Sequence, residues 1–219
     1  MRTKNYLSLF FTVVFSTVSA QQKLIDSLEL QLKNPTNGNT RLQNLIQLGG
    51  HYSRINPQKG LRHVNEAIEI ATKKKNSFQL GQAYDRKGLN LISLGKDSLA
   101  LSYMDKAEKE YLDIDSTRAL SKLLLYKAIF HQRRSNHPDA IEILKLAFEN
   151  FEKDNDTLMM GYTFGLIGSS NTDLGNYTSS LEYLLNGASL LEKSNQEDSK
   201  YYVFIQSSLG ALYLSLIHI

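Results

Sequence analysis

The chain has 219 residues, 25 Lys and Arg against 22 Asp and Glu, 21% charged and 42% apolar residues, and no cysteine. The missing cysteine excludes disulfides and thiolate metal sites, so the fold must rest on core burial. Nothing in the charge pattern forms the basic stripe that nucleic acid would require.

Residues 1–20, MRTKNYLSLFFTVVFSTVSA, begin with Arg2 and Lys4, continue as an apolar run from Tyr6 to Val14 and end on Val18-Ser19-Ala20. That is the layout of a secretory leader cleaved after Ala20; the run is shorter than the ~20 apolar residues of a membrane span. An uncleaved anchor is the alternative. Cleavage removes two basic residues and leaves 23 basic against 22 acidic, so the export product is near neutral despite a sequence pI of about 8.9. The expected location is periplasmic or secreted.

Lys23 to Lys33 carries Leu24, Leu28 and Leu32 at four-residue steps and reads as a short capping helix, followed by a loop from Asn34 to Asn39. Residues 21–40 therefore form a cap, and residues 41–219 are internally repetitive. Gly88, Leu94, Gly95, Leu101 and Tyr103 recur 80 residues later as Gly168, Leu174, Gly175, Leu181 and Tyr183. Halving the offset finds Ala128, Ala140, Ile141, Leu144 and Ala147 in register. The small-residue marker falls at Gly49, Gly88, Ala128, Gly168 and Gly210, in steps of 39, 40, 40 and 42. Each unit carries two stretches with helical apolar spacing. Turn signals separate them at Asn56-Pro57, Gly95-Lys96-Asp97, Asn136-His137-Pro138 and Gly175-Asn176. Pro57 and Pro138 fall where a second helix starts, where a missing N–H costs nothing. No stretch alternates long enough to predict a strand.

The Leu-Gly pair with a nearby aromatic, and the small–bulky–Ala triplets Ala100-Met104-Ala107 and Ala140-Leu144-Ala147, resemble the two helices of a tetratricopeptide (TPR) repeat. The resemblance spans about residues 41–217 as four full repeats and a partial fifth. It departs at Lys127-Ala128, Ser180 and Gly187, and its period is near 40 where the standard unit has about 34 residues. It implies an all-α fold, a right-handed α-solenoid of TPR-type helix pairs. The long units resemble those of exported bacterial sensor and regulator proteins, and the expected cause of their length is a longer second helix with a linking turn.

The same resemblance implies a ligand groove lined by the first helices. By register it holds Gln43, Ile46, Gly50 and Ser53; then Gln82, Asp85, Leu89 and Ile92; then Lys122, Leu125, Ile129 and Gln132; then Tyr162, Ser169 and Thr172. The alternative is that its aliphatic members only pack against neighbouring repeats. The carboxylate-gripping clamp of chaperone-binding TPR proteins is not evident, because those places hold Ile46, Gly50, Asp85, Leu89, Leu125 and Ile129.

The remaining candidates are weak. His131 and His137 are six apart across a helix end and bring no acidic ligand with them. Gly161 and Gly165 form a Gly-xxx-Gly contact motif in an apolar stretch too short for a membrane, which points to helix packing. Lys73-Lys74-Lys75 complements a helix C-terminus. No catalytic, metal or cofactor site is expected, and an enzyme is not. The expected partner is a protein or peptide. The closing LSLIHI resembles an adapter-derived string, which leaves the native identity of Ile217 to Ile219 open. An apolar Tyr201–Leu216 stretch without a second helix reads as a fragment of a longer protein with a downstream membrane anchor and output domain. A stand-alone periplasmic or secreted adaptor is the other reading.

Overall fold

The computed structural model describes residues 21–34 and 37–217. The leader assigned to residues 1–20, part of the 34–39 loop and the last two residues lie outside them. Among the described residues the chain is all helix, with no strand. Helix α1 covers 21–33 and α2 Gly38–Tyr52. They are followed by α3 Pro57–Lys73, α4 Ser77–Ser93, α5 Asp97–Leu112, α6 Thr117–Arg133, α7 His137–Lys153, α8 Thr157–Asp173, α9 Tyr177–Lys193 and α10 Lys200–Ile217. No helix among them is long and apolar enough to cross a membrane.

The chain divides into two compact units, one ending at Ile114 and one starting at Asp115. In the first, α2 pairs with α3 and α4 with α5, and the two first helices α2 and α4 also touch. In the second, α6 pairs with α7 and α8 with α9, while α10 lies on both α8 and α9. Each unit is a stack of TPR-type helix pairs.

The repeat length has a different origin from the one expected. Second helices α3, α7 and α9 have 17 residues, and so do first helices α4, α6 and α8. The period near 40 is therefore shared equally by both helices in the pairs α6/α7 and α8/α9 and nearly so in α4/α5, where α5 has 16 residues, and the connections within these pairs and between them are only three or four residues long. Left-handed residues mark this at Lys75, Gly95, Asp115, Ser135, Asn155, Gly175 and Asn195, one every 20 residues. At six of these turns the following N–H reaches back to the last helical turn, as in Lys96 N to Leu91 O at 2.9 Å and Asn136 N to His131 O at 2.9 Å. These bonds satisfy carbonyls that a helix end would leave unpaired. Helix starts are capped from the side chain at Asn56, Asn76 and Asp156, which accept from Lys59, Gln79 and Met159.

Small residues set the packing within each pair. Gly88 lies so close to α5 that a Cβ there would stand 2.8 Å from Met104 Cγ, and Gly168 faces Leu184 Cγ at 2.6 Å in the same way. Ala100, Met104, Ala107, Ala140, Leu144 and Ala147 are fully buried. The two glycines of the Gly161–Gly165 motif meet different helices: Gly161 faces Leu191 of α9, and Gly165 faces Phe204 and Ile205 of α10. The motif is a close-packing device, as its length implies.

The cap is held by an apolar contact and a polar one. Ile25 and Leu28 of α1 pack on Leu48 and Tyr52. The Tyr52 hydroxyl donates to Glu29, Lys59 donates to the Tyr52 oxygen at 2.7 Å, and Lys59 also pairs with Glu29. The lysine and tyrosine hydrogen bonds hold the Glu29 carboxyl below its usual range.

Candidate ligand-binding surface

First helices α2 and α4 run side by side, and their facing side chains enclose an open concavity of about 340 Å³. Its lining is Gln43, Ile46, Gln47, Gly50 and His51 from α2 with Gln82 and Arg86 from α4. Four of the residues read from the sequence, Gln43, Ile46, Gly50 and Gln82, come together here. Gln47 and Arg86 stand one helical turn after Gln43 and Gln82, on the same faces. That i, i+4 relation was the signal available for them. His51 follows Gln47 by four residues in the same way.

Gly50 has a specific part. A Cβ there would stand 3.1 Å from Arg86 Cδ and 3.2 Å from its Nε, so the bare backbone lets the arginine lie across α2. Asp85, the residue before it, is 6% exposed, and its Oδ2 lies 3.7 Å from Arg86 Nη1. Burial pushes the Asp85 carboxyl up to about 6, against the pull of Arg86. Ser53 is buried and donates to Gly50 O at 2.8 Å, so its hydroxyl serves the end of α2. Leu89 and Ile92 are half-buried on α4.

In the second unit the sequence-derived positions divide by role. Leu125, Ile129 and Tyr162 join one apolar cluster with Leu124, Ala128 and Leu166. Gln132 donates to Leu166 O at 2.9 Å and Ser170 Oγ at 2.7 Å, tying α6 to α8. Thr172 shares a 2.7 Å hydrogen bond with Ser180 of α9. Lys122 is exposed and Ser169 half-buried. The Tyr162 ring lies tilted by 39° against Tyr201, with centroids 4.4 Å apart, and meets Phe204 edge-on at 5.6 Å. Burial, with Tyr201 and Tyr126 nearby, raises its phenol above the ordinary value.

The histidines keep separate company. His131 Nδ1 lies 3.8 Å from Asp139, and His137 Nδ1 lies 3.6 Å from Asp173. Among the described residues no three potential ligands converge on a metal position. Lys74 donates to Asn39 at 2.6 Å, while Lys75 takes the left-handed turn position after α3.

No family model and no curated protein matches the sequence. Solved structures do match in fold. Aspartyl phosphate phosphatase F from Bacillus subtilis superposes with a TM-score of 0.75 at 16% identity, over 91% of this chain and 58% of that one. A Rap protein complexed with competence and sporulation factor gives 0.74 at 16% identity, over 85% and 54%. Nearly identical TPR-like repeats assigned to a kinesin light chain of Podosopora anserina give 0.66 at 12% identity, over 81% and 88%. The chain thus spans little more than half the length of the first two. These likenesses establish the fold, a stack of TPR-like helix pairs.

Proposed function

We propose that this chain is a protein- or peptide-binding region whose ligand lies in the α2–α4 concavity, and that it acts by binding, without catalysis. The observation that carries this reading is the lining of three glutamines from two helices around buried Ile46. A glutamine amide presents a donor and an acceptor together, the same pair that an extended peptide backbone offers. Ile46 supplies the apolar floor that excludes water from such bonds. A similarly folded Rap protein was solved complexed with competence and sporulation factor, which supports a ligand-binding use of this architecture.

The test is fluorescence polarisation of the full chain against a library of labelled extended peptides. We expect Q43A/Q82A to weaken binding about tenfold, the loss of roughly one hydrogen bond or more, with helicity unchanged by circular dichroism. Equal binding by wild type and double variant would place the ligand elsewhere.

We further propose that the region is exported and forms the sensor part of a longer bacterial signalling protein. The leader pattern of residues 1–20 and the long repeats support this. N-terminal sequencing of the product from a bacterial host tests export: a start at Gln21 is expected, and retention of Met1 in the cytoplasm would refute it.

A further inference from the structure

Acidic residues are unevenly placed in the first unit. Its first helices α2 and α4 carry Arg41, His51, Arg86 and Lys87 against one acid, Asp85. Its second helices α3 and α5 hold Glu66, Glu69, Asp97, Asp105, Glu108 and Glu110. Two of the four basic residues are engaged by those neighbours. Arg41 Nε donates to Glu66 at 2.9 Å, and Lys87 Nζ lies 4.1 Å from the centre of the Tyr103 ring. The other two, His51 and Arg86, line the α2–α4 concavity, where no acid joins them among the described residues.

The bare backbone at Gly50 seats the Arg86 side chain on α2. A guanidinium has five N–H donors in a planar fork. Asp85 Oδ2 stands 3.7 Å from Arg86 Nη1, beyond hydrogen-bond distance, and Asp85 is buried outside the lining. It tempers the charge of the arginine from the protein side. A carboxylate arriving from solvent can meet the fork through charge-assisted, bidentate hydrogen bonds, the pairing that favours arginine at carboxylate sites. The concavity is open, so nothing stops a chain at the arginine, and an extended peptide lying on the glutamines runs past it. An acidic side chain fits that path better than a chain end does.

We infer that the α2–α4 concavity selects an acidic peptide, an extended segment whose internal Asp or Glu side chain docks on Arg86 with His51 beside it. This rests on the reading of the concavity as a peptide site and adds the class of ligand. Glutamine amides hold the backbone of any sequence, so Gln43, Gln47 and Gln82 do not discriminate. The arginine supplies the choice. A basic segment is rejected, because it would bring a second cation against Arg86.

Fluorescence anisotropy on the full chain compares three pools of labelled extended peptides, capped at both ends and differing only in a central Glu, Gln or Lys. A fourth pool has the central Gln and a free C-terminal carboxylate. The Glu pool is expected to bind about tenfold tighter than the capped Gln pool, with the Lys pool weakest. R86Q should erase the preference for Glu over Gln. Added salt should weaken binding of the Glu pool more than that of the capped Gln pool. Circular dichroism checks that R86Q is folded; the salt series needs no variant and decides the matter if it is not. Equal binding of the three capped pools, or an equal response of Glu and Gln pools to salt, overturns the inference and leaves the concavity a peptide site. No binding by any pool overturns both readings. A preference for Glu that survives in folded R86Q, or binding confined to the pool with a free C-terminus, overturns the inference too.

Discussion

Asp85 turns one carboxylate oxygen toward the Nη1 of its neighbour Arg86 at 3.7 Å and leaves the other buried without a hydrogen-bond partner. A charged carboxylate in that setting is costly, and burial raises its folded-state pKa to about 6 from 3.8. Between those two values the folded chain holds a proton that the unfolded chain has released. The stability tied to this group is therefore complete below pH 3.8 and is lost as the pH rises through 6. A shift of that size corresponds to ~3 kcal/mol at most. D85N, which has no proton to lose, should escape the decline. Urea unfolding at pH 4, 5, 6 and 7.5 checks this: wild type should fall by ~2 kcal/mol relative to D85N across the series. Parallel stability curves would mean that Asp85 is solvated.

Gly88 and Gly210 share a register position and should respond with opposite signs. G88A forces a Cβ to within 2.8 Å of Met104 Cγ and 3.3 Å of the Ala100 carbonyl, so α4 and α5 must separate. A cost of ~1–3 kcal/mol is expected from such overpacking. G210A puts its methyl into open space and gains the helix propensity of alanine, ~0.5–1 kcal/mol. Thermal melts of the two variants read the difference directly; destabilisation by both would show that Gly210 is packed as tightly as Gly88.

What could be read from the sequence was what local packing writes into it. The small–bulky–small triplets and the steps near 40 located every helix pair, because each pair is built from residues close in the chain. The equal 17-residue helices were hidden for a physical reason. Their left-handed turn residues are Lys75, Asp115, Ser135, Asn155 and Asn195 as well as Gly95 and Gly175, so no constant residue type marks the 20-residue step. The groove was legible in part. Register put Gln43, Ile46, Gly50 and Gln82 together, but it could not separate them from Gln132 and Thr172. Those two lie at comparable register positions yet are taken up by hydrogen bonds between helices. Helix spacing and rotation decide that, and neither is written in a single strand of sequence.

Ser135 pays the steric cost of a left-handed backbone at φ 58° with no glycine to relieve it, whereas Gly95 meets the same turn at φ 69°. S135G should therefore stabilise by ~1 kcal/mol, and G95A should destabilise by a similar amount. N155G should gain less than S135G, because asparagine tolerates this conformation better than serine. Chemical denaturation of the three variants tests the ranking. A destabilising S135G would show that the serine side chain contributes more than its backbone strain costs.

Gln132 separates a groove residue from a structural one. Its amide reaches Leu166 O and Ser170 Oγ across the α6–α8 seam, and Ser170 is fully buried. Q132A leaves the Ser170 hydroxyl without this donor, a loss of ~1–3 kcal/mol. Ligand affinity measured well below the unfolding transition should not change, because the amide is already engaged within the protein. Q43A gives the complementary result, since Gln43 is exposed on the concavity wall: stability within ~0.5 kcal/mol of wild type and weaker peptide binding. If Q132A instead weakened binding at unchanged stability, Gln132 would exchange its internal bonds for the ligand, and the second unit would carry a binding surface of its own.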